Sequence, residues 1–152
     1  MLNINLSKKS ILFMATVCNV GNIPFAPGTF GTLAGLPLCY LLSRIPWGKA
    51  FLLIAFIIFA IYISDNAEKI LGTKDPGSIV IDEVAGLLIT LLYLPFNLQS
   101  VCLGFVFFRI FDIIKPFPIR QVESLFPGGL GIVLDDVIAG LFAHVLLRLF
   151  LA

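Results

Sequence analysis

Apolar residues in this chain come in long runs, broken by short polar segments rich in Gly and Pro. The first run, residues 10–20, is short against the roughly 20 residues that a membrane span needs. It predicts an interfacial or half-inserted helix. Residues 21–32, GNIPFAPGTFGT, read as a loop with unusual backbone demands. Thr29 is placed to cap a helix expected over 33–43, which Pro37 should bend. After the turn at Arg44-Ile45-Pro46, a helix is expected over 47–71, apolar at first and polar at its end. GTKDPGS (72–78) is a loop. GSIVIDEVAGLLITLLYL (77–94) has the length and hydropathy of a membrane span, apart from Asp82 and Glu83 near its start. A helix over 98–115 is stopped by Pro116 and Pro118. Residues 119–131 form a polar connector, and the last helix runs from Ile132 to the C-terminus. The pattern predicts an all-α fold: a polytopic membrane helical bundle of about five membrane helices plus the short N-terminal helix.

Composition supports this. A length of 152 residues suits one domain over 1–152. Hydrophobic residues make up 59% and charged residues 12%, too few to cover a water-facing surface in the usual way. The net charge of +1 offers no electrostatic footprint for a nucleic acid. Cys18, Cys39 and Cys102 are scattered, which is neither a disulfide framework nor a metal spacing, and they are expected to serve packing. Lys8 and Lys9 before an apolar run have a signal-peptide character. Cys18-Asn19-Val20-Gly21 is a poor cleavage site, however, and the segment is expected to be retained.

Threading the five helices alternately through a bilayer gathers the charges. The loop 21–32, residues 65–75, Asp82 and Glu83, residues 109–120, and Asp135 and Asp136 fall on one face, and with Glu123 of the connector that face holds all nine acidic residues. The opposite face receives Arg44, Lys49 and Arg148. A charge at the centre of a membrane helix costs about 2.5–3.5 kcal/mol, and less near an N-terminus, where the helix dipole offsets part of it. Clustered carboxylates stay ionised together only with cations between them, and oxygen-rich clusters suit hard divalent ions such as magnesium. In FRIFDIIKPFPIR, Arg109, Asp112 and Lys115 recur every three residues, within an arc of about 120°. Arg grips a phosphate through two parallel hydrogen bonds and Lys adds a point charge. Carboxylates for a metal beside Arg and Lys for phosphate point to phosphoryl transfer. One internal similarity stands out: IVIDEVAGLL (79–88) and IVLDDVIAGLF (132–142) each place two carboxylates before Ala-Gly. There is no Cys-x5-Arg loop and no Walker-type phosphate loop, and the single histidine, His144, is expected to pack or to sit at the interface.

These motifs, PFAPGTFGT (24–32), KDPGSIVIDEVAG (74–86), FRIFDIIKPFPI (108–119) and GGLGIVLDDVIAG (128–140), resemble those of the phosphatidylglycerophosphatase A family over nearly the whole chain. The resemblance implies a magnesium-dependent bacterial membrane enzyme that removes the terminal phosphate of phosphatidylglycerophosphate to give phosphatidylglycerol. It matches the family's acidic positions to Asp75, Asp82, Glu83, Asp112, Asp135 and Asp136, and its basic positions to Arg109 and Lys115. Gly28 and Thr29 match its Pro-Gly-Thr loop. Phe117 stands where the family commonly has Trp, and Val133 where it commonly has Met.

The expected catalytic and metal set is Asp82, Glu83, Asp112, Asp135 and Asp136. The expected phosphate-binding set is Arg109, Lys115, Gly28, Thr29 and Asp75. The nucleophile is expected to be water activated by the metal, with an attacking Asp as the alternative. The partner is a phospholipid in the bilayer. A small ion transporter, or a non-catalytic partner of a lipid-synthesis enzyme, is the rival function. Near the helix ends the acidic face carries Lys69, Lys74, Arg109, Lys115 and Arg120, against Arg44, Lys49 and Arg148 opposite. The positive-inside rule then turns the acidic face to the cytoplasm of a bacterial inner membrane.

Overall fold

The computed structural model describes residues 6–152, apart from the side chains of residues 123 and 124, and the described residues form helices joined by turns, without a strand. Residues 1–5, the start of the segment expected to be retained, lie outside the described residues. Helix α1 (Lys8–Ala15) is capped by Ser7, whose side chain accepts from the Ser10 N–H. It ends where the Thr16 hydroxyl donates to the Leu12 carbonyl at 2.8 Å. Val17, Cys18 and Asn19 then adopt positive φ, and a 3-10 turn follows at Val20–Asn22. At eight residues, α1 is short enough to be the interfacial or half-inserted helix expected.

The next segment differs from the sequence reading. Helix α2 (Pro27–Ala34) starts inside the expected loop, because Pro27 occupies the first turn, where its missing N–H costs nothing. Thr29 therefore lies within α2 and does not cap a later helix. The bend expected at Pro37 is a break at Gly35, after which α3 (Leu36–Arg44) begins with Pro37 in its first turn.

Helix α4 (Lys49–Leu71) has 23 residues and ends at Gly72, whose φ of 70° is the left-handed cap that glycine adopts readily. Helix α5 (Ile81–Thr90) has ten residues and α6 (Leu98–Ile114) has 17. The expected polar connector contains a short helix, α7 (Ile119–Leu125), and the last helix, α8 (Gly129–Leu151), has 23 residues. A 23-residue helix is about 34 Å long, against a hydrocarbon core of about 30 Å. Among the described residues α4 and α8 are the two helices long and apolar enough to cross a membrane, so the five spans read from hydropathy are not matched by helix length. The reason lies in α5. It rises only about 15 Å, and every residue in it except Glu83 is buried. Leu87, Leu88 and Ile89 are apolar because they meet other helices.

Helix α5 is the centre of the fold. It lies along α8, with α6, α4 and α2 around it. Helices α5 and α8 run parallel, since Gly86 meets Gly140 and Thr90 meets His144. Helix α6 runs the other way, with Gly104 near Leu91 and Leu147, and Phe108 fully buried against Gly86. The end of α4 meets the start of α8: Asp65 accepts from the Gly129 N–H at 3.5 Å. Of the three free cysteines, Cys39 packs in the core as expected, whereas Cys18 and Cys102 are exposed.

Candidate active site

The helix directions bring the starts of α2, α5 and α8 to the end of α6. Asp82 and Glu83 lie in the first turn of α5, and Asp135 and Asp136 lie two turns into α8. One oxygen from each of Asp82, Glu83 and Asp136 falls within 4.8 Å of the others. Asp82, Asp135 and Asp136 are only 8%, 4% and 3% exposed, so water does little to screen them. From α6, Arg109 Nη1 lies 2.6 Å from Asp112 Oδ2 and 3.8 Å from Glu83 Oε1. Lys115 ends α6 at a φ of 45° and donates to Asp135 Oδ2 at 2.6 Å.

Two cations thus stand among five carboxylates, which leaves an excess of negative charge. Asp82 Oδ1, Glu83 Oε2, Asp135 Oδ1 and Asp136 Oδ2 are buried without a hydrogen-bond partner among the described residues. Buried, unpaired carboxylate oxygens are costly, and like charges repel. A hard cation placed among them removes both penalties, and an all-oxygen donor set suits magnesium, calcium or manganese better than zinc. The residues present therefore fit a divalent metal ion.

Helix α2 closes the site from the side. Gly28 is buried, and a Cβ there would collide with Glu83 Oε1 and lie 3.1 Å from both terminal nitrogens of Arg109. A glycine is needed because this backbone rests directly on the Glu83–Arg109 pair. Gly28→Ala should push that pair apart and slow phosphate release about tenfold, with little change in folding, since Ala favours a helix. Assay of the purified variant beside its thermal unfolding curve checks this.

The structure brings together Asp82, Glu83, Asp112, Asp135, Asp136, Arg109, Lys115 and Gly28. Thr29 follows Gly28 and is half-buried at the margin. Asp75 is exposed in the loop before α5, where its N–H donates to Glu68 Oε1 at 3.0 Å, and it is not among the three clustered carboxylates. Thr90 was not expected to matter, and His144 was expected to pack or to sit at the interface. The Thr90 hydroxyl donates to the Gly86 carbonyl at 2.9 Å, and His144 Nδ1 lies 3.0 Å from the Thr90 carbonyl. The recurring Ala-Gly of the two similar segments was the available signal.

Fold and site define a class: an apolar helical protein with a metal-competent carboxylate cluster, flanked by a guanidinium and an ammonium, at one end of its helices. Within that class the chain belongs to the phosphatidylglycerophosphatase A family, which it matches over residues 13–151, and with that family it is a phosphatase. It is 43% identical to phosphatidylglycerophosphatase A of Escherichia coli strain K12, over 81% of this chain and 73% of the relative. It is 40% identical to the protein of that name from Haemophilus influenzae, over 81% and 77%. A Bacteroides thetaiotaomicron relative with the provisional name phosphatidylinositol-3-phosphatase is 38% identical over 84% of each chain. No solved structure matches the chain.

Proposed function

We propose that this protein hydrolyses the terminal phosphomonoester of phosphatidylglycerophosphate, giving phosphatidylglycerol and phosphate, as a single magnesium-dependent domain at the cytoplasmic face of a bacterial inner membrane. The observation that carries it is the convergence of Asp82, Glu83 and Asp136, with unpartnered buried oxygens, beside Arg109. Family membership supplies the substrate: the Escherichia coli and Haemophilus influenzae relatives are named for it.

Asp82, Glu83 and Asp136 would hold magnesium, with Asp112 and Asp135 completing the acidic wall. The bound ion would supply charge neutralisation and electrophilic polarisation of the phosphoryl group. Arg109 offers its planar fork to two phosphate oxygens, and Lys115 adds a positive charge. Asp112 and Asp135 already grip these cations at 2.6 Å, so both are oriented before the substrate arrives. Gly28 lets the α2 backbone close directly on Glu83 and Arg109, and Thr29 and Asp75 line the approach of the phosphate. Water attacks phosphorus, the bond to the ester oxygen breaks, and that oxygen leaves as the alcohol after gaining the proton the water gives up.

The surroundings suit a lipid substrate. Helix α4 turns Phe51, Ile54 and Ile58 outward, and α8 does the same with Leu141, Val145 and Leu149, as lipid-facing helices do. With α4 and α8 crossing the bilayer in opposite directions, the headgroup meets the site at the surface while the acyl chains stay among lipids. A transporter needs polar groups near the midplane. Here the charged cluster sits at one end of the helices. For orientation, a cysteine at the exposed Gly77, in a background without the three native cysteines, should react with an impermeant thiol reagent only when the cytoplasmic face is open. Labelling from outside intact spheroplasts would invert the topology.

Phosphate release by the purified protein from phosphatidylglycerophosphate and from phosphatidylinositol 3-phosphate, in matched micelles, tests the substrate. Faster release from phosphatidylglycerophosphate is expected. Release from the inositol lipid alone would transfer the assignment to it.

A further inference from the structure

The two segments that resemble each other in sequence lie side by side in constant register. Thr90 faces His144, which is 54 residues further on, and Gly86 faces Gly140 at the same offset. The backbones come closest at the glycines. A Cβ on Gly140 would collide with the Gly86 carbonyl oxygen, and one on Gly86 would collide with the Phe108 ring and lie 2.9 Å from the Asp136 carbonyl oxygen. The fully buried Thr90 hydroxyl closes the crossing: it donates to the Gly86 carbonyl at 2.9 Å and lies 3.4 Å from that of Gly140. One turn back along each helix, about 6 Å, the same register sets Asp82 opposite Asp136, two of the three clustered carboxylates. Between two rigid helices, the separation at the crossing governs the separation of side chains one turn away.

We propose that Gly86, Gly140 and Thr90 are positioning residues: the backbone crossing they make sets the gap between Asp82 and Asp136, and with it how tightly and how selectively the cluster holds a small divalent ion. This rests on the metal-binding reading of the site given above. None of the three needs to touch substrate. Magnesium binds oxygens at about 2.0–2.1 Å in strict octahedral geometry, whereas calcium accepts about 2.3–2.6 Å and looser arrangements. Widening the crossing therefore penalises magnesium more than calcium.

The test measures ion-induced thermal stabilisation of the detergent-purified protein, titrated separately with magnesium and calcium. In Gly140→Ala, half-saturation with magnesium should need about tenfold more ion or more, the scale on which residues supporting metal ligands act, and half-saturation with calcium should move less. Thr90→Val should shift in the same direction by a smaller factor, and Thr90→Ser, which keeps the hydroxyl, should match the parent. The Thr90 pair decides the matter if Gly140→Ala does not fold. Variants that lower Tm without ion yet leave both half-saturation points unchanged would overturn the inference alone, since that is what a purely structural crossing gives. A parent protein stabilised by neither ion would overturn the metal reading, and the inference with it.

Discussion

Asp82→Asn abolishes phosphate release and leaves the protein folded: this is the first expected result. Asp82 belongs to the three-carboxylate cluster, is buried, and has an oxygen without a partner. Replacing it with an amide removes an anionic ligand. Metal assistance to phosphoryl transfer contributes several kcal/mol, and each 1.36 kcal/mol is tenfold in rate, so the loss should be on the order of 10³-fold or more. The effect on stability should have the opposite sign. Without a metal ion, Asp82, Glu83 and Asp136 repel one another in a poorly hydrated place, and the amide relieves that repulsion. The metal-free Asn variant should therefore melt at the same temperature as the parent or higher, as functional sites that store unfavourable charge commonly do when neutralised. Asp136→Asn should behave likewise. Loss of activity together with a clear fall in Tm would make Asp82 a structural residue. Release assays and thermal unfolding on the same preparation separate the outcomes.

Arg109→Lys should be nearly as damaging, although it keeps the charge. The guanidinium spans Asp112 at 2.6 Å and Glu83 at 3.8 Å. It lies directly beneath the α2 backbone at Gly28. An ammonium has neither the planar fork nor the reach to serve both carboxylates and a phosphate. Loss of a bidentate, charge-assisted contact to the transferred group should cost about 10²-fold in kcat/KM. Arg148→Lys, at the far end of α8, is the control and should change little. Equal effects at the two positions would reduce Arg109 to an ion-pair residue.

Much of the site was legible because charge is rare in an apolar chain. Once the helices alternate in direction, Asp82, Glu83, Arg109, Lys115, Asp135 and Asp136 must come to one end, and the structure has them there. Spacing by three along α6 put Arg109, Asp112 and Lys115 on one side of a helix, and two of them reach acidic partners on α5 or α8. What hydropathy could not reveal is what an apolar residue touches. Leu87 and Leu88 in α5 look in sequence like the exposed residues Ile54 and Ile58 of α4, yet they face protein. A ten-residue buried helix was therefore read as part of a longer span. The start of α2 was missed because Ala26, at a φ of 46°, makes a left-handed entry that nothing in its residue type announces. The recurring Ala-Gly was visible, but the register that sets Gly86 on Gly140 depends on packing across 54 residues of intervening chain.

In the proposed function, carboxylates from α5 and α8 hold a divalent ion that phosphate release requires. The most direct test of this is phosphate release from phosphatidylglycerophosphate by purified protein, measured before chelation, after thorough chelation, and after magnesium is restored. Full loss on chelation and recovery with magnesium are expected in the parent, and no recovery in Asp82→Asn. Undiminished release after chelation would contradict it.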